Sequence, residues 1–270
     1  MYRFIETNGN NGAMNMALDE ALLISASTHQ ELPALRLFSW DPPTLSLGYA
    51  QKSTDVNRIQ LKENGWDLVR RPTGGRAILH TDELTYSIAA PIDDPVMAGS
   101  LLESYQRISR ALLKALNILG IVARGDSTYS STKSPGSVDP ICFEVPSNYE
   151  ITVNGKKLIG SAQARKNGGV LQHGSLPLNG DLTRITQVLN YSHEEKRKKA
   201  ITGLLEHAGT IQSLTGKNIS LEQAQQAFIS AFSTELGLHI VKSEPSAKEI
   251  ILTNDLVKNK YATEEWNFRS

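Results

Sequence analysis

The chain has 270 residues, 40% hydrophobic and 21% charged, with 28 basic against 28 acidic side chains and a formal net charge of zero. That length suits one principal domain with a sizeable core, and the lack of a basic excess argues against a protein built to neutralise nucleic-acid phosphates. The first residues lack the layout of a signal peptide and no run of about 20 apolar residues is present to cross a bilayer; with one cysteine, Cys142, and so no internal disulfide, the expected location is the cytoplasm and the expected thiol is free.

After a turn-rich Asn-Gly-Asn-Asn-Gly opening, Met14, Ala17, Leu18, Ala21 and Leu22 recur at three- and four-residue spacing and predict an amphipathic helix over 13–27. LRLFSW (35–40) and TLSLGYA (44–50) predict strands separated by Asp41-Pro42-Pro43, as a hairpin or a tight corner, with Leu45, Leu47 and Tyr49 on one buried face. A short helix is expected over 55–64, an apolar-polar stretch over 66–71, and strands over 77–80 and 84–88. Leu102, Tyr105, Ile108, Leu112, Leu113, Leu116 and Leu119 mark one face of a helix over 101–119 stopped by Gly120. Residues 124–140, rich in Ser, Thr, Gly and Pro, predict a loop. Strands follow over 149–153 and 157–159, joined by Asn154-Gly155, a two-residue turn in which both positions need positive φ. Another strand is expected over 168–178, then helices near 182–190, 193–206, 220–236 and 246–259. The fold class predicted is α/β or α+β, with a central sheet and a mostly helical 181–270 segment.

Three segments could carry chemistry. In Arg70-Arg71-Pro72-Thr73-Gly74-Gly75-Arg76, adjacent glycines let backbone approach a ligand, and arginines can hold phosphate or carboxylate oxygens in bidentate fashion. The spacing matches neither G-x-G-x-x-G nor a P-loop, and by pattern alone a glycine hairpin with solvated arginines is equally admissible. Cys142, in ICFEVPS, becomes a nucleophile only beside a cation or base, for which Lys156, Lys157, His80 and His173 are the options; otherwise it is a small packed hydrophobe. In GKKLIGSAQ a lysine between glycines can point into a groove as a general base, or lie solvated on an edge strand. The Glu194–Lys199 charge run reads as a solvated helix face.

These segments together, with NMALDE near the start, TLSLGY, ELTYS, LQHGS and the closing KYATEEWN, resemble the biotin/lipoate A/B ligase superfamily and, within it, the LipM-type octanoyltransferases that use a cysteine. The resemblance runs from end to end and implies one catalytic domain over 1–270 with a central mixed β-sheet flanked by helices. It implies transfer of octanoyl from octanoyl-acyl carrier protein to a lysine of a lipoyl-domain protein, with the glycine cleavage H protein as first acceptor. No cofactor, metal, nucleic acid or membrane is implied. Cys142 is then the acyl-carrying nucleophile and Lys157 its partner. Arg71, Thr73, Gly74, Gly75, His80, Gly160, Ser161, Ala162, His173 and Gly174 line the acyl channel, and N–H groups near Gly74 to Arg76 or near Cys142 form the oxyanion site. Three competing readings are an ATP-dependent lipoate-protein ligase, an amidotransferase between lipoyl domains, and a non-catalytic acyl- or biotin-binding regulator. The C-F-x-x-P-S setting of Cys142, and Arg76 where ligases tend to continue with a third glycine, argue against the ligase.

Overall fold

The computed structural model describes residues 1–126 and 150–269. Its main sheet has eight strands, and their spatial order is set by both ends of the chain. β1 (Tyr2–Asn10) pairs in parallel with β2 (Ala34–Trp40) on one side and with β11 (Ile240–Lys242) on the other. β6 (Glu83–Pro91) and β10 (Gly169–Pro177) continue the sheet antiparallel beyond β2, followed by β9 (Lys156–Lys166), β8 (Glu150–Val153) and β7 (Arg124–Asp126). A second sheet of three strands, β4 (Asp67–Arg70), β3 (Thr44–Leu47) and β5 (Ile78–His80), stands beside it, and α2 (Arg58–Glu63) joins β3 to β4 within the expected 55–64 helix. LRLFSW and TLSLGYA therefore form a corner between sheets, turned through the cis Asp41–Pro42 bond, and not a hairpin. β3 is buried on both faces, Thr44 and Ser46 as fully as Leu45 and Leu47, while Tyr49 lies past its end and is half-exposed.

The strand period of two sorts the main sheet into two apolar faces. Phe4, Leu35, Ile88 and Val170 point to the side covered by α3 (Leu101–Ile118) and α6 (Leu221–Leu236), where Leu112, Phe228 and Phe232 complete the core. Ile5, Ala34, Ala89 and Leu171 point to the other side and meet Leu18 and Leu22 of α1 (Gly12–Ser27). α3 starts on a capping box, in which Ser100 Oγ accepts from Glu103 N and Glu103 accepts from Ser100 N, and Gly120 ends the segment at φ 68°. Its buried face is Tyr105, Ile108, Leu112 and Leu116 as the spacing predicts, but Leu102 is largely exposed.

α1 departs from the amphipathic expectation, because it is buried on nearly every side, Asn15, Asp19 and Glu20 included. α7 (Ala247–Leu256) covers its outer side, and its polar residues face partners inside the protein. Asp19 Oδ1 accepts from Arg36 Nη1 at 2.7 Å and from Ser87 Oγ at 2.7 Å; Arg36 also donates to Asn15 O, Asn15 Oδ1 and Thr7 Oγ1. Arg36, Ser87 and His173 are successive cross-strand partners on β2, β6 and β10, so one carboxylate on α1 spans three strands.

The Asn154–Gly155 turn forms as predicted, both residues at positive φ. Part of the predicted 124–140 loop, Arg124–Asp126, is instead strand β7. The 181–270 segment is mostly helical: a 3-10 turn (Leu182–Gln187), α4 (Glu194–His207), the short α5 (Ile211–Thr215), α6, α7, a π turn (Val257–Tyr261) and α8 (Glu264–Asn267). It also supplies β11, the edge strand next to the N-terminal strand.

Replacing Arg36 by leucine leaves the Asp19 carboxylate buried without its counter-charge. Such a change costs about 3–5 kcal/mol, to be read as lost unfolding free energy in a urea titration; a loss under about 1 kcal/mol would contradict the central role given to this pair.

Candidate functional site

The RRPTGGR segment leaves β4 and returns to β5, and its geometry is set from behind. Arg70 is fully buried, and its guanidinium donates to the carbonyls of Gly48, Tyr49, Gln51, Trp266, Asn267 and Arg269. Arg71 donates to the carbonyls of Ser46, Gly74 and Arg76 and to Ser46 Oγ, bracing the glycine turn across its base. These two arginines are thus largely committed to backbone oxygens, which removes Arg70 from the anion-contact reading. Gly75 has φ 93°, and a Cβ on Gly48 would overlap the Gly75 carbonyl, so the two backbones touch at a point where only glycine fits.

Two buried histidines fix the same loop through hydroxyls. His80 Nδ1 lies 2.7 Å from Glu83 Oε1, and a carboxylate only accepts, so this nitrogen carries the proton. Nε2 then accepts from Ser46 Oγ at 2.6 Å, while Ser46 takes the bond from Arg71. Thr85 and Ser175 hydroxyls also donate to Glu83, Trp40 Nε1 donates to Thr85, and the Trp40 ring stacks on His80 at 4.1 Å. By the same logic His173 donates from Nδ1 to Asp19 Oδ2 at 3.3 Å and accepts at Nε2 from Thr73 Oγ1 at 2.7 Å. Each relay joins a carboxylate, a histidine and a hydroxyl, and every polar atom named has a partner, as burial requires.

Burial alone would raise the Asp19 carboxyl; the Arg36 guanidinium and the bonds from His173 and Ser87 outweigh it and leave Asp19 below its ordinary value. Burial would likewise raise Glu83, but His80, Thr85 and Ser175 bring it below its own. His173 is pushed below 6.5, first by burial, which the Asp19 carboxylate offsets only in part, with Arg71 adding repulsion.

In front of the loop lies a cavity of about 360 Å³, within the range of small-molecule pockets. Arg71, Gly74, Gly75, His80, Lys157, Gly160, Ser161, Ala162, His173 and Gly174 all line it, together with Met16, Trp40, Tyr105 and Gln163, which sequence alone does not single out. Thr73 is the exception among the described candidates. It is buried behind the wall and holds His173. Lys157 is buried, against the solvated edge-strand alternative, and its Nζ donates to Glu150 Oε1 at 2.6 Å. Lys156 points the other way, donating to Leu205 O on α4, so it is no partner for chemistry in the cavity. Cys142 lies outside the described residues.

A family model of the lipoyl protein ligase A/B catalytic domain matches residues 11–233, a span holding the loop, both relays and Lys157. The chain belongs to that family. Among curated relatives, the octanoyltransferase LipM of Carboxydothermus hydrogenoformans is 41% identical over 99% of this chain and 98% of its own. That of Bacillus subtilis is 36% identical over 99% and 98%. Among solved structures, the bipartite lipoate protein ligase of Thermoplasma acidophilum superposes with a TM-score of 0.80 at 27% identity, covering 99% of this chain and 95% of that one. A lipoate-protein ligase A bound with ATP gives 0.79 at 27%, covering 99% and 97%. The central mixed sheet flanked by helices is thus the fold of lipoyl ligases, as the resemblance implied.

Two outcomes follow from this geometry. Asp19 and Glu83 have folded values below their unfolded ones, so their stabilisation is present above about pH 5 and lost as pH falls through the folded values. His173 is lowered as well, so its unfolded form binds a proton more readily and stability already declines below pH 6.5. Urea titrations should therefore show unfolding free energy falling steadily from pH 7 to about pH 4, with His173→Gln removing the upper part of the decline; a flat profile would refute these assignments. Gly48→Ala should displace the Gly75 turn and reduce ligand binding in the cavity at least about tenfold by calorimetry. Unchanged binding would show that the contact between the two glycines is dispensable.

Proposed function

We propose that this protein moves an octanoyl group from octanoyl-acyl carrier protein to a lysine of a lipoyl-domain protein, with Cys142 as the acyl carrier and Lys157 as its partner. Octanoyl transfer is the activity named for relatives that match the chain along its whole length, and we place it in lipoate biosynthesis. The observation that carries the residue assignment is Lys157, a buried amine at the wall of the cavity beside Gly160. The first acceptor in this reading is the glycine cleavage H protein, and the whole 1–270 chain acts as one catalytic unit.

In the first half-reaction the Cys142 thiolate attacks the carrier thioester, the carbonyl carbon forms a bond to Sγ as its bond to the carrier sulfur breaks, and the carrier sulfur leaves and takes up the proton that the Cys142 thiol released on ionising. The ammonium of Lys157 favours the thiolate electrostatically. In the second, the acceptor amine attacks the Cys142 thioester, the new C–N bond forms as C–S breaks, and Lys157 relays the proton from nitrogen to the departing sulfur. Gly74 and Gly75 line the cavity where an N–H donor can meet the carbonyl oxygen.

The second reading is ATP-dependent ligation, favoured by the ligases among the structural neighbours at 27% identity. The greater identity to octanoyltransferases, 36–41%, weighs against it. Incubation with octanoyl-acyl carrier protein and no ATP should give one octanoyl adduct by intact mass, absent in Cys142→Ala. An adduct that survives the substitution, or a strict need for ATP with octanoate, would overturn the proposal.

A further inference from the structure

Glu150 opens β8, takes part in none of the motifs described above, and does not line the cavity. Its carboxylate is nonetheless buried and grips Lys157 at 2.6 Å. The hairpin explains how it arrives there. The Asn154–Gly155 turn sets Val153 against Lys156 and Thr152 against Lys157, but the next pair is Ile151 with Ile159, so β9 carries one extra residue, Leu158. A bulge of this kind bends its strand and re-aims the side chains beside it. A Cβ on Gly160 would lie 3.0 Å from Lys157 Cε, so the lysine stem passes closely over this bare position. The backbone at Lys157 is fixed as well, its carbonyl accepting from Gly209 N at 3.1 Å.

We infer that Glu150 is a positioning residue for Lys157, holding Nζ at the cavity wall while the acyl group is transferred. This rests on the reading that Lys157 relays the proton. Burying an ion pair is no economical route to stability, because two desolvated charges are seldom better than apolar side chains of equal volume. What a charge-assisted bond supplies is direction. A lysine has four rotatable bonds in its stem, and without Glu150 its amine samples rotamers that miss the carbonyl. The Glu150 carboxylate stays ionised throughout. Lys157 gives its proton to the Cys142 sulfur as it leaves and receives one from the attacking nitrogen, so both residues end as they began.

The test is a double-mutant cycle on the full chain, with Glu150→Gln, Lys157→Ala and the double variant. Each protein is loaded from octanoyl-acyl carrier protein and mixed with excess lipoyl-domain protein, and loss of the adduct is followed by quenched mass spectrometry. Glu150→Gln keeps the shape and an acceptor oxygen but loses the charge. It should lower the limiting transfer rate at least about tenfold, leave the half-saturating acceptor concentration within about twofold of wild type, and have no further effect once Lys157 is alanine. A wild-type rate in Glu150→Gln, or effects that multiply in the double variant, would overturn the inference. Should Glu150→Gln fail to fold, Glu150→Asp retains the charge on a shorter arm and should slow transfer likewise; a wild-type rate there would overturn it equally. A wild-type rate in Lys157→Ala defeats the parent reading instead, so the two failures are told apart.

Discussion

Everything at the cavity depends on a charge that cannot be left unsatisfied, the Asp19 carboxylate buried between α1 and the main sheet. An ionised group in that position needs a counter-charge and several donors, and the strands provide them in register: Arg36, Ser87 and His173 on three neighbouring strands. His173 transmits that order to Thr73, and the parallel relay from Glu83 through His80 and Ser46 transmits it to Arg71. The glycine turn is thereby fixed from its buried side, leaving its other face to the cavity. A loop built this way is organised before a ligand arrives, which is what electrostatic stabilisation of a developing charge requires.

Much of this frame is legible in sequence, and the illegible parts share a physical origin. The α3 periodicity and the Asn154-Gly155 turn are local signals, and both elements form where expected. β1 was hidden because YRFIETNGN carries no clean alternation, its first residues being buried on both faces. α1 reads as amphipathic, yet its polar residues turn inward to partners 17 and 241 residues away. Arg70 reads as a candidate for anion contact because its true partners, carbonyls at Trp266, Asn267 and Arg269, lie about 200 residues further on. The 124–140 composition pointed to a loop, and three of those residues are recruited into a strand by β8.

The candidate residues were legible by type and motif more than by role. Ten of them do surround one cavity, but Arg71, His80 and His173 also brace the loop, and Thr73 works only from behind it. Glu150 shares a face with Lys157, lying two residues from Thr152, its cross-strand partner, but sequence shows neither that its carboxylate is buried against the amine nor the one-residue slip along β9. The lysine it holds is common to readings with and without ATP, so Lys157 alone does not distinguish a transferase from a ligase; Cys142 does.

In the function proposed above, one cavity, walled by the glycine turn and by β9 and β10, receives the acyl chain carried on Cys142. A crystal structure of the chain after loading from octanoyl-acyl carrier protein tests it most directly. Continuous density is expected from the Cys142 sulfur into the cavity, with the carbonyl between the Gly74–Gly75 turn and Lys157 Nζ. An acyl group bound to another residue, or a chain lying outside an empty cavity, would contradict it.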